Sequence, residues 1–597
     1  MDGLLYEPLK YYTTVAKATH AENVSQRFEE LVKRSGIDVE ENRKSAAAYR
    51  AALERVSEVE RRLRRLKLLR GLLIALTIIG GIAAIYGALA VTETLTVGLS
   101  LILGGLTVCA LCLTLILTVL RRRIRQADDL KREREEEAQK KLRICEEQMA
   151  PLVALFDSTD THRLIEKTMP EITFAPRYTQ EHQQLLLEEY DYVDLTDDDT
   201  SVTDALAGTL CGNPFLYERF TAMQMGTETY HGALTIHWTE TVRDSKGNTH
   251  RVHRSQTLHA SVTKPKPYYR TCTHLGYGTQ AAPDLSFTRN ESDTDELSDR
   301  ALARRIRRGE KKLQKRTEQA ATKGGSFHEM ANTEFDVLFG ALNRNHEVQF
   351  RLMYTPLAQT NTVDLLRSKE GYGDDFNFIK SGRFNIIKSV HAQGFEMNTS
   401  PSHYVSYDVD LAQESYQRFN EEYFKSVFFD FAPLLAVPAY QEPPTPSMRK
   451  VKAYESAYTP YEHEILANAI GMRALSHPAS ATDAILKTAV LETRDGVDRV
   501  RVTAYSYRTE GHTDFIPVLG GDGRTHAVPV PWLEYIPVSS ASDMAVGRVG
   551  ESDGEIRDKR RKAPFPAGAA VRHGLMAYLP SVGESTDAVV SVFNKYM

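Results

Sequence analysis

Cysteine is scarce in this sequence and net charge is nearly absent. Five cysteines, at 109, 112, 145, 211 and 272, form an odd, scattered set in 597 residues. That argues against a disulfide framework and fits a reducing compartment. A formal charge of −5 with 42% hydrophobic residues describes an ordinary folded protein, not a nucleic-acid binder or a disordered tail. There is no HExxH, no paired CxxC, no zinc-finger spacing, no Walker loop and no G-x-S-x-G elbow. No metal and no cofactor is therefore expected. No cleavable signal peptide is expected either, because the first seventy residues are polar.

Charge is also missing from two long stretches, and here the absence is informative. Residues 71–91 and 95–120 contain no charged side chain, and only Thr92, Glu93 and Thr94 separate them. A helix rises 1.5 Å per residue, so roughly 20 apolar residues cross a hydrocarbon core of about 30 Å. The spacing predicts a transmembrane helical hairpin. Small residues at Gly80 and Ala84, Ala83 and Gly87, and Ser100 and Gly104 would let the two helices approach closely. Cys109 and Cys112 have C-x-x-C spacing but fall inside the second run, where they read as small apolar fillers.

Orientation follows from the flanks. Arg61, Arg62, Arg64, Arg65, Lys67 and Arg70 precede the first run, and Arg121, Arg122, Arg123 and Arg125 follow the second. The positive-inside rule then puts both termini in the cytoplasm of a cell membrane crossed twice. The lipid bilayer is the first partner expected, and an unidentified cytoplasmic protein the second.

Around the hairpin the expected class is α+β. A coiled-coil-like stalk leads into a mixed α/β soluble region with long antiparallel β-hairpins. Tyr49, Ala52, Val56, Val59, Leu63 and Leu66 on one side, and Ile124, Ala127, Ala138, Leu142, Cys145 and Met149 on the other, trace apolar stripes. They pair either within one chain or between copies, which would make a homo-oligomer. The segments expected are 1–70 helical, 71–120 membrane hairpin, 121–157 charged stalk, 158–290 β-rich, 291–325 charged helical insertion, 326–440 mixed α/β, and 441–597 α+β.

Local patterns fill in these segments. Residues 213–289 alternate as a long hairpin with a turn at Asp244, Ser245, Gly247 and Asn248, ended by Lys264-Pro265-Lys266-Pro267. Strands are expected over 347–354, within 385–395 and over 404–409. Helices are expected through Tyr416, Phe419, Tyr423 and Val427, over 465–475 and over 484–491. A further hairpin turns at 520–523, and Pro529, Pro531 and Pro537 place its second strand at a sheet edge. Residues 441–447 read as a Pro-rich linker, and 547–568 as flexible and charged.

Chemistry is harder to place. Asp374 and Asp375 follow Gly371-Tyr372-Gly373, and Asp284 follows Gly276-Tyr277-Gly278. Carboxylates after a flexible turn can hold a cation or move protons, although solvated turn aspartates are far commoner. Cys211 beside Gly212 would be a nucleophile only if a histidine approached it. The acidic patch at Glu188, Glu189, Asp191, Asp194 and 197–199 lacks the EF-hand order and reads as a solvated loop. Basic residues from Arg304 to Arg316 would suit anionic lipid or RNA, or form a solvated helix broken at Gly309.

Residues 334–366, through Phe335, Phe339, Arg351, Thr355 and Pro356, resemble a group of uncharacterised bacterial two-pass membrane proteins with a soluble domain of unknown function. The resemblance implies a bacterial membrane location and no activity. The leading expectation is a non-enzymatic, membrane-anchored interaction or scaffolding protein. The alternatives are an enzyme built around the Gly-Tyr-Gly segments, or lipid or nucleic-acid contact through the basic helix.

Overall fold

The computed structural model describes residues 5–90, 95–192, 197–243, 249–325, 327–394, 397–444, 456–581 and 583–596. The expected turns at 92–94 and 244–248, Asp194, and the end of the Pro-rich linker lie outside them. The chain is α+β and divides into two units. One comprises Ser25–Phe156 with Pro401–Phe419, the other Met1–Val24 with Asp157–Ser400 and Asn420–Met597.

The first unit is built on three long helices: α1 (Val39–Ala90), α2 (Leu95–Thr114, continued by a π-helical turn Leu115–Leu120) and α3 (Arg121–Val153). Asp38 starts α1, its carboxylate accepting the Glu41 amide at 2.9 Å while Glu40 and Glu41 complement the helix dipole. The apolar stripes face each other. Leu63 packs with Leu120, Ile124 and Ala127, and Ala52 and Val56 pack with Ala138. The apolar helices approach closely where a Cβ on Gly105 would lie 2.5 Å from the Gly80 carbonyl. Gly105, not Gly104, is the small residue at this contact, since a Cβ on Gly104 would meet nothing within 4 Å.

The expected strand over 404–409 is absent. A 3-10 turn at Pro401–His403 leads directly to a helix beginning at Val409. Asn42 Oδ1 accepts the Val409 amide at 2.9 Å, and Asp408 Oδ1 accepts the Asp410 amide at 2.9 Å. These caps override the local alternation. Tyr404 is buried edge-on against Phe156 and Tyr416.

The second unit holds two antiparallel sheets. The larger contains β1 (Ile172–Phe174), β2 (Thr200–Leu210), β3 (Asn213–Arg243), β4 (Thr249–Gly278), β5 (Ser286–Arg289), β6 (Phe376–Ser381) and β7 (Phe384–Ser389), in the order β1-β2-β3-β4-β7-β6-β5. The smaller contains β8 (Ile485–Arg494), β9 (Val497–Leu519), β10 (Thr525–Arg548), β11 (Ala570–Arg572) and β12 (Leu575–Tyr578), ordered β11-β12-β10-β9-β8. At 31 residues β3 spans roughly 100 Å, far beyond an ordinary strand.

The β3–β4 and β9–β10 ribbons pack on one another through Ile236, Leu258 and Val528. At Gly232 a Cβ would lie 2.0 Å from the Pro529 carbonyl, so only glycine permits this approach. Pro265 and Pro267 do not end the first ribbon. They fall where β4 pairs with β3 alone, and proline is tolerated on such an open edge. Pro529, Pro531 and Pro537 likewise sit on the part of β10 that pairs only with β9.

Four helices matter for the candidate sites: α4 (Asp299–Lys323), α5 (Thr333–Phe339), α6 (Glu347–Met353) and α7 (Val409–Leu435). Three expectations fail here. Residues 347–353 are helical rather than extended, 485–494 are extended rather than helical, and 553–562 form a helix capped by Ser552. Gly309 does not break α4. The C-terminal half of α7 is buried on nearly all sides, with Tyr423, Phe424, Phe428 and Phe431 in the core.

Candidate functional site

The aspartates after Gly371-Tyr372-Gly373 point inward. Asp374 is fully buried and takes hydrogen bonds from Arg289, Ser292 and Thr294. Its amide donates to Asp295 Oδ1 at 3.2 Å. A buried carboxylate so enclosed has its charge balanced and its lone pairs occupied, a structural arrangement. Gly373 has φ +64°, and a Cβ there would fall 2.1 Å from the Asp295 carboxyl carbon. The glycine serves close packing beneath the ion pair.

Asp375 holds a histidine. Its Oδ2 lies 2.6 Å from His391 Nδ1, and His391 Nε2 lies 3.2 Å from the Ser426 carbonyl and 3.5 Å from Asp430 Oδ1. Tyr372 stacks on the imidazole, with centroids 3.8 Å apart. Burial opposes charge on His391, but Asp430 and the hydrogen bond His391 donates to Asp375 outweigh it and raise its pKa above 6.5. Tyr217 and Ser389 donate to Asp430, closing the network.

Asp284 is elsewhere. It is exposed and exchanges hydrogen bonds with Gln349, at 2.8 and 3.1 Å. The structure brings Asp284 into none of the contacts made by Asp374 or Asp375. Cys211 occupies the turn between β2 and β3 with φ +51°, followed by Gly212 at +81°, the backbone of a two-residue hairpin turn. Burial, with a contribution from Glu171, raises its thiol to about 11, so it stays protonated at neutral pH. Among the described residues no group of three His, Cys, Asp or Glu is placed to hold a metal ion.

Arg61, Arg62, Arg64, Arg65, Lys67 and Arg70 on α1, and Arg121, Arg122, Arg123 and Arg125 on α3, are all exposed. They ring the end of the apolar stretch, around the Leu63, Leu120 and Ile124 contact. Lys67 lies 3.8 Å from Asp128. Arg64 and Lys67 line a groove of about 610 Å³, and Arg70, Arg121 and Arg125 line one of about 480 Å³.

Another concave site lies on α4. A groove of about 920 Å³ runs between α4 and residues 336–342. Arg304, Arg308, Lys312 and Lys315 recur at helical spacing and line it. Leu302 and Leu313 are buried and fix the helix. At Gly309 a Cβ would meet Val337 Cγ1 at 2.4 Å, so the glycine admits the α5 side chain against α4. Arg316 donates to the Leu342 carbonyl at 2.5 Å. The sequence exposed the basic helix, but the opposite wall at Val337 and Leu342 carries no signal that points to it. His391, Asp430 and Arg289 were equally invisible, because their partners lie far along the chain.

Comparison with protein-family models, with curated proteins and with solved structures gave no match.

Proposed function

We propose that this is a membrane-anchored protein whose β-rich unit serves interaction or scaffolding. The observation behind this reading is uncovered apolar surface. The most apolar windows of the two long helices have mean hydropathies of 2.2 and 2.5, and only 6% and 11% of those windows are buried within the protein. Leu72, Ile82, Leu103 and Leu111 stand open. Burying apolar surface is worth roughly 25 cal/mol per Å², and soluble monomers rarely leave contiguous patches above a few hundred Å² exposed. A bilayer would cover it.

In this reading residues 71–91 and 95–120 cross a bacterial cell membrane, with both termini cytoplasmic by the positive-inside rule. Helices α1 and α3 continue as a coiled-coil-like stalk, supported by the facing stripes at Ala52, Val56, Leu63, Ile124, Ala127 and Ala138. Pairing of the same stripes between copies is the competing arrangement. The partner is a cytoplasmic protein met by the ribbons, whose edges along β4 and β10 offer unpaired backbone groups.

The test is a C-terminal tag in intact cells exposed to external protease. Protection until the membrane is opened is expected. Immediate digestion would overturn the orientation, and release of the chain by alkaline extraction would overturn the anchor itself. Affinity capture on the detergent-solubilised chain should then recover one specific protein, and repeated failure to do so would count against scaffolding.

A further inference from the structure

The groove on α4 has the composition of a site for a multiply charged anion. Residues 299–323 contain ten Lys and Arg against three Asp and Glu. Two carboxylates line the groove, and both are engaged. Asp293 accepts from Arg305, and Asp336 accepts from Arg344 at 2.6 Å. Arg308, Lys312 and Lys315 are exposed, and among the described residues none has a carboxylate within 4 Å. Their positions span about 10 Å along the axis. Three unpaired cations in one row repel each other, and a dianion between them would relieve that repulsion.

The floor is different in character. Leu313, Val337 and Leu342 supply apolar surface beneath the charges. Leu297 adds to it at one end. A site with cations at the rim and aliphatic side chains below fits a phosphate group on an apolar or amphiphilic body. It does not resemble a nucleic-acid face. Among the described residues none of the three cations lies over an aromatic ring that would stack a base, and the Phe327 ring is occupied by Arg316 at 4.7 Å.

We propose that this groove binds an organic phosphate of two or more negative charges, whether a phosphomonoester lipid headgroup or a soluble diphosphate. The inference does not depend on membrane insertion, since it rests on the groove alone.

The experiment uses the full chain in neutral detergent micelles. Calorimetric titration with inorganic pyrophosphate tests the soluble source, and retention of phosphatidic acid over phosphatidylcholine in mixed micelles tests the lipid source. Saturable binding in either arm, weakening as salt rises, is expected. The R308Q/K312Q/K315Q variant should lose roughly tenfold in affinity per cation removed. A matched variant of the belt, R62Q/R65Q/R123Q, removes the same charge from exposed positions outside the groove and should stay within about twofold, far less than a tenfold step. Circular dichroism and melting of both variants would establish that they fold. Absence of binding in both arms would overturn the proposal. So would equal losses in the two variants, or binding of a single-stranded RNA 12-mer without binding of pyrophosphate or phosphatidic acid.

Discussion

Two charged regions of the β-rich unit make opposite use of similar residues. Around Gly371-Tyr372-Gly373, three carboxylates turn inward to cationic partners: Asp374 to Arg289, and Asp375 and Asp430 to His391. Along α4, Arg308, Lys312 and Lys315 are turned outward with no matching charge among the described residues. The segment between β5 and α4 serves both. Ser292, Thr294 and Asp295 reach Asp374, while Asp293 and Leu297 belong to the groove. The lesson is that charge in a sequence does not declare its use. The counter-charge decides, and it is supplied from distant strands and loops.

The sharpest way to break this contrast is to remove one inward charge. Asp374→Ala leaves Arg289 buried and unpaired, which should cost about 3–5 kcal/mol of stability. Lys312→Ala removes an outward charge and should stay within about 0.5 kcal/mol. Thermal melts of the two variants at neutral pH check the difference. Equal losses would mean that the groove cations are structural as well.

Next in size is the floor of the groove. Leu313 is buried, and Leu313→Ala should cost about 2–5 kcal/mol. Leu352, on the exposed face of α6, offers the comparison: Leu352→Ala should change stability by less than about 0.5 kcal/mol. Denaturant unfolding of both variants reads the contrast. A large loss at Leu352 would indicate that its exposed face is covered by a partner.

The inward cluster should also titrate. His391 faces Asp375 and Asp430, with Tyr372 stacked on it and Lys425 Nζ over the Tyr372 ring, 4.7 Å from its centroid. Because its folded pKa lies above 6.5, its contribution is fully present below pH 6.5 and is lost as pH rises through the folded value. Each unit of displacement is worth about 1.4 kcal/mol. His20 slopes the other way. Burial holds it near 4, so its contribution is lost as pH falls below 6.5. Melting temperature against pH, compared between wild type and His391→Gln, isolates the first effect. A difference between the two that does not shrink above pH 6.5 would show that His391 carries no extra proton.

These contrasts also show how far the sequence could be read. The apolar helices and both ribbons were legible because a single periodicity runs for twenty or more residues. Short segments were not. Val348, Phe350 and Leu352 alternate like a strand, yet Glu347, Phe350 and Met353 form the buried face of a helix capped by His346. The opposite error befell 485–494, whose Ala-Ile-Leu-Lys content reads as helix. The decisive signal was Asp495-Gly496, both with positive φ, which makes a tight hairpin into β9. At the sites, the basic face of α4 was visible but its second wall was not. The two aspartates were visible, but their burial was not, because Arg289 and His391 reach them from β5 and the end of β7.

The smallest expected effect bears on whether the groove is a fixed shape. In an exposed helix, Gly→Ala gains about 0.5–1 kcal/mol through backbone entropy. At Gly309 the new methyl would sit 2.4 and 2.6 Å from the two Val337 γ-carbons. Val337 is β-branched and cannot swing clear without leaving its rotamer, and such overpacking costs about 1–3 kcal/mol. The net expectation for Gly309→Ala is a loss of about 1 kcal/mol. The double variant Gly309→Ala/Val337→Ala removes the clash while keeping the helix gain, so a double-mutant cycle should show favourable coupling of about 1 kcal/mol or more. A stabilising Gly309→Ala with no coupling would mean that Val337 does not press on α4. The groove would then lack its fixed wall, and the outward charges would be no more organised than those of the basic belt on α1 and α3.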